Sequence, residues 1–107
     1  MNRFIRDQNI ANYFERLHTE EDGQTRVTLQ RLLVEEERRF GEAEEQIEQL
    51  DRLISRCQRH ISTIEGHQAS IGSSPLSDRL LKNSHDLVFF LETLRGDATL
   101  KRENSFF

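Results

Sequence analysis

A heptad pattern runs through the middle of this chain without a slip. Leu29, Leu33, Glu36, Phe40, Ala43, Ile47, Leu50, Ile54, Cys57, Ile61 and Ile64 succeed one another at alternating steps of four and three residues. Steps of four and three keep one stripe of an α-helix facing one partner. No proline falls between Gln24 and Glu65, and Gly41 is the one glycine there. The pattern predicts a single coiled-coil-like helix over 24–65, a rod of roughly 60 Å at ~1.5 Å per residue. Its acids (Glu35, Glu36, Glu37, Glu42, Glu44, Glu45) come early and Arg52, Arg56 and Arg59 come late. That order suits the helix dipole.

Shorter amphipathic segments flank this helix. Ile10, Tyr13, Phe14 and Leu17 share one helical face, which predicts a helix over about 7–19, followed by a break at Thr19-Glu20-Glu21-Asp22-Gly23. Asp22 is placed to cap the next helix. Residues 66–74 contain two glycines and three serines and read as a loop. Ser74-Pro75 then supplies an N-cap and a first-turn proline. The third helix is expected over 75–95, stopping at Gly96, with Leu76, Leu80, Leu87, Leu91 and Leu94 inward and residues 97–107 as a flexible tail.

The expected fold is all-α. One domain over 1–96 has a long central helix with a shorter antiparallel helix folded back at each end. Matching apolar positions sets Leu80 opposite Ile61, Leu87 opposite Ile54, Leu91 opposite Leu50 and Leu94 opposite Ile47. At the other end Phe14 meets Leu29 and Ile10 meets Leu33, which puts Glu36 beside Arg6 and Arg3. This arrangement is thin and leaves Leu32, Phe89 and Phe90 without a place inside one chain. A homo-oligomer, most simply a dimer, is therefore expected. Its interface candidates are Phe40, Ile47, Leu50 and Ile54 on the seam, with Phe89 and Phe90.

Composition narrows the function classes. The net charge is −4 over 107 residues, and no third of the chain is basic. Nucleic acid is not an expected partner. Mean hydropathy is −0.73, and no apolar run approaches a membrane span, so no membrane association is expected. The start of the chain has no signal-peptide pattern. With one unpaired cysteine this places the protein in the cytoplasm. No glycine-rich phosphate cradle or nucleophile elbow is present, no cofactor is implied, and no enzymatic activity is expected.

Two constellations merit weighing. Cys57 and His60 lie three residues apart near the seam, and the register brings His85 within about a turn of both. A Cys-His-His group has the ligand types for zinc or copper, but no fourth ligand at tight spacing accompanies it. The bland reading, a small core residue flanked by two rings, is preferred, and no metal is expected. The second is Ser84-His85-Asp86-Leu87 with Leu91, Leu94, Arg95 and Gly96, which resembles the phospho-accepting box of sensor histidine kinases. That resemblance implies a dimeric helical hairpin with His85 as phospho-acceptor. The sequence departs from it, with Phe90 in place of the expected proline and Val88 in place of a basic residue.

A further resemblance rests on Asn9-Ile10-Ala11-Asn12-Tyr13-Phe14-Glu15-Arg16-Leu17, Thr19-Glu20-Glu21-Asp22, Arg26, Leu29, Leu32-Leu33 and Glu35-Glu36-Glu37. These residues, over 9–37, are similar to a pattern in small uncharacterised helical-hairpin proteins of α-proteobacteria. The resemblance implies an N-terminal helical hairpin and a bacterial cytoplasmic setting, and no activity. The reading that best fits the sequence is a non-enzymatic interaction or regulatory module that self-associates. The alternative is a histidine phosphotransfer-like hairpin using His85.

Overall fold

The structure, a computed structural model, describes residues 3–38 and 42–104. These form four α-helices and no strand: α1 (Arg3–Thr19), α2 (Gly23–Arg38), α3 (Ala43–Ile71) and α4 (Pro75–Asn104). Phe40, one of the seam residues, lies outside the described residues, as do 105–107 of the expected tail.

The single helix expected over 24–65 is instead two. Glu42 has extended backbone (φ −112°, ψ 139°), which a helix interior does not allow, and α3 starts after it. The two halves also run in opposite directions. Arg26 and Gln30 of α2 line one cleft with Asp86, Phe89, Phe90 and Thr93 of α4. Further along, Val34, Glu37 and Arg38 line another with Leu94, Asp97, Ala98 and Lys101. So α2 runs parallel to α4 and therefore antiparallel to α3. The result is an up-down-up-down bundle 52 Å long, its length set by α3 and α4.

The heptad seam survives the break. Leu29, Leu33, Glu36, Ile47, Leu50, Ile54, Cys57, Ile61 and Ile64 are all buried. One contiguous core joins Ile10, Phe14 and Leu17 of α1, Leu29 and Leu33 of α2, Ile47, Leu50, Leu53, Ile54 and Cys57 of α3, and Leu87, Leu91 and Ala98 of α4. Ile47, Leu50 and Ile54, expected at an interface, are buried within this core.

Helix ends account for the other boundaries. Asp22 caps α2: its Oδ2 accepts from the Thr25 amide at 3.0 Å and from the Thr25 hydroxyl at 2.6 Å. Those bonds hold its carboxyl below the usual value. Ser74 caps α4, its Oγ accepting from the Ser77 amide at 3.1 Å, with Pro75 at the first helical position. Helix α3 runs six residues beyond the expected end at Glu65. It crosses Gly66 and stops at Gly72, whose φ of 89° is open to glycine at little cost. Moving the turn to 72–74 shifts the α3–α4 register by about one helical turn. Gln68 donates to Ser77 and Asp78, and Arg95 donates to Asp51 at 2.6 Å. A one-turn shift returns the same faces to each other, which is why the burial pattern holds while the expected pairs do not.

Helix α4 also outruns its expected stop. It continues through Gly96 to Asn104, so 97–104 is helix and not tail. Ala98 is buried against the core, and packing there outweighs the roughly 1 kcal/mol that a mid-helix glycine costs against alanine. At the opposite end the α3–α4 hairpin projects past the shorter α1–α2 hairpin. Leu76 and Ile71 are consequently exposed there.

Candidate functional site

Three places in the bundle hold chemistry worth building up. The first is a buried polar cluster where α1 ends against α3 and α4. His18 follows Phe14 by one turn and continues the buried stripe of Ile10, Phe14 and Leu17. Its Nδ1 donates to the Phe14 carbonyl at 2.9 Å. A carbonyl only accepts, so in the neutral ring Nδ1 carries the hydrogen and Nε2 is the acceptor. Cys57 Sγ lies 4.0 Å from that Nε2. The His18 ring meets the rings of Phe14 and His60 edge to face, each at 4.8 Å. Asn83 donates from its side-chain amide to the His18 carbonyl at 3.0 Å. Around the rim, Arg56 bonds Glu15 at 2.7 Å and lies over the Phe14 ring, and Arg79 bonds Glu21 at 2.7 Å.

The electrostatics of this cluster favour neutral groups. Burial lowers the His18 pKa, and the nearby His60 and Arg56 add to that, against the hydrogen bond to Phe14 and the charge of Glu15. Burial pushes the Cys57 thiol up to about 12. At neutral pH the sulfur is a thiol, not the thiolate that nucleophilic or metal-binding chemistry uses. Ser84, fully buried beside Asn83 in sequence, has a hydroxyl with no hydrogen-bond partner among the described residues. No group of three His, Cys, Asp or Glu is placed to hold a metal ion among the described residues. The third group expected beside Cys57 and His60 is His85, but His85 is exposed on the outer side of α4, and the ring that joins them is His18 from α1.

The second place lies at the other end of the bundle. Glu36, Glu37 and Gln46 are buried there. Glu37 opens onto a cleft of about 290 Å³ with Gln46, Ala98 and Lys101. Burial raises its carboxyl pKa, and Lys101 and Arg38 pull it back. Glu36 is buried on α2, as its seam position requires, and Arg6 is half-buried on α1. The side chain of Arg3 lies outside what is described.

The third place is the outer face of α4. Phe89 is 74% exposed. It lines a groove of about 430 Å³ between α2 and α4 with Phe90, Arg26, Gln30, Asp86 and Thr93. Phe90 is half-buried and packs on the core. Leu100, three turns beyond Phe89 on the same side of α4, is 58% exposed. The Thr93 hydroxyl donates to the Phe89 carbonyl of its own helix at 2.9 Å, which satisfies that group internally.

Sequence reasoning named Phe89, Phe90 and His85 and missed His18 and Asn83. His18 stands eight residues after Ile10, a spacing that belongs to a helix's buried stripe, so a signal for it was present. Asn83 carried none, since its role depends on where α1 ends in space. No helix among the described residues is long and apolar enough to cross a membrane. Comparison with protein-family models, with curated proteins and with solved structures finds no match to this chain.

Proposed function

We propose that the protein is a non-enzymatic helical interaction module that self-associates through the outer face of α4. The observation that carries this reading is Phe89. A phenylalanine three-quarters exposed, set in a groove beside a second phenylalanine, is costly to leave in water. The same face carries exposed Leu100 and a threonine whose hydroxyl is already bonded. The cluster at His18 supports the non-enzymatic part of this reading, because burial keeps the Cys57 sulfur as a thiol and disfavours charge on the His18 ring.

Light scattering on the purified chain tests this. Wild type should exceed its 12.6 kDa monomer mass, and Phe89→Glu should return it to monomer. Leu76→Glu, at the projecting hairpin tip, should leave the association unchanged. Association that survives Phe89→Glu contradicts the reading.

A second reading keeps one specific support. His85 is exposed on α4, as a phospho-acceptor must be. Incubation with acetyl phosphate, followed by an assay for acid-labile phosphate, separates the two. Label lost in His85→Asn would replace the first reading with a phosphotransfer role.

A further inference from the structure

We propose that two copies of the chain pair antiparallel through α4, with Phe89 of each copy seated over Gly96 of the other. The inference rests on the interaction reading above and specifies its partner and register.

Exposed residues recur every seven positions along the outer face of α4: Lys82, Phe89, Gly96 and Glu103. Asp86, Thr93 and Leu100 fall between them at the complementary heptad steps. The core of α4 uses the opposite face, through Leu87, Leu91 and Ala98. The helix thus has a second, mixed face at heptad spacing, with Phe89 and Leu100 as its large apolar groups, which the bundle leaves uncovered.

Gly96 is the informative member. Its φ is not positive, so its backbone does not require glycine. A Cβ placed on it meets nothing within 4 Å, so packing inside the chain does not require glycine either. Glycine weakens a helix interior relative to alanine. What this position offers is a notch in an exposed face, open outward. Phe89 stands two turns away on the same helix, roughly 10 Å along the axis at ~1.5 Å per residue. It cannot fill its own notch, whereas the Phe89 of a two-fold mate can. An isologous contact repeats the fit, so two rings enter two notches.

Charge favours this register over a slip of one turn. Setting residue 89 opposite 96 brings Lys82 of each copy against Glu103 of the other, one opposite-charge pair at each end. It also sets His85 against Leu100. Slipping by one turn, so that Phe89 meets Leu100, sets Asp86 against Glu103, a like-charge pair at both ends. Lys82, Asp86 and Glu103 are all exposed and positioned for these contacts. The paired segment from 82 to 103 is about 32 Å long.

Sedimentation velocity on the full chain, over a dilution series, tests the register. Gly96→Leu should raise the dimer dissociation constant at least tenfold while the melting temperature of the diluted monomer holds or rises. Lys82→Glu and Glu103→Lys should each raise it several-fold, and the double charge swap should restore the wild-type value. A double swap that is no tighter than either single variant overturns the register, as does Gly96→Leu with unchanged affinity. If Phe89→Glu abolishes pairing but the swap fails to rescue, the outer face of α4 stands and this register falls. If Phe89→Glu leaves pairing intact, or the wild type is monomeric throughout, both fall.

Discussion

Asn83 on α4 donates a 3.0 Å hydrogen bond from its side-chain amide to the main-chain carbonyl of His18, in the last turn of α1. The last carbonyls of a helix have no partner within it. Here one of them is satisfied by a residue 65 positions away, and the bond fastens the end of the first hairpin to the second.

Removing that donor should loosen α1. Asn83→Leu leaves the buried His18 carbonyl unpaired, a loss of about 1–3 kcal/mol. Asn83→Asp should be at least as harmful, because a carboxylate cannot donate and would face a carbonyl. Thermal melts of the two variants check this, and amide exchange should rise first over the last turns of α1.

Stability should fall on mild acidification. The His18 pKa is lowered from the ordinary 6.5 in the folded chain. Below 6.5 the unfolded chain binds a proton that the folded chain refuses, so stability present above 6.5 is lost as pH falls from there through the folded value. His18→Leu should flatten this part of the profile. Urea titrations of wild type and His18→Leu at neutral and mildly acidic pH measure the difference.

Glu37 should behave in the opposite sense. Its pKa is raised by burial, so its carboxylate opposes folding at neutral pH, and the penalty disappears as pH falls through the folded value toward 4.5. Glu37→Gln should stabilise the protein at neutral pH. That gain should vanish in acid. A melting-temperature series against pH reads both features.

Two glycines on either side of one helix end should respond with opposite signs. A Cβ on Gly66, inside α3, meets nothing within 4 Å, so Gly66→Ala should stabilise by roughly 0.5–1 kcal/mol. Gly72 ends α3 at φ 89°, so Gly72→Ala should cost about 1–2 kcal/mol. Denaturant midpoints of the pair locate the helix end between them.

Burial was legible in the sequence to the extent that periodicity reports it. The seam from Leu29 to Ile64 is buried at every described position except half-buried Ala43. Periodicity does not report which partner covers a face, so it ran through the break at Glu42 and read two antiparallel helices as one. The same limit explains α4. Gly96 signals a stop only if nothing beyond it packs, and Ala98 does pack. Moving the turn from 66–74 to 72–74 displaced the expected pairing of Leu91 with Leu50 by a turn without altering which residues are inside. In the buried cluster, Cys57 and His60 were visible because they lie three apart on one helix. Asn83 was not, because its function is defined by a carbonyl on another helix.

In the proposed dimer the outer face of α4 meets a second copy of the chain. Isotope-filtered NMR on an equimolar mixture of labelled and unlabelled protein tests it most directly, since such spectra contain contacts between copies alone. Cross-peaks are expected from the Phe89 ring to the α-protons of Gly96, which two positions about 10 Å apart along one helix cannot give within a single copy. Intermolecular cross-peaks that arise from the hairpin tip at Leu76 and Ile71, with none from Phe89, would contradict it.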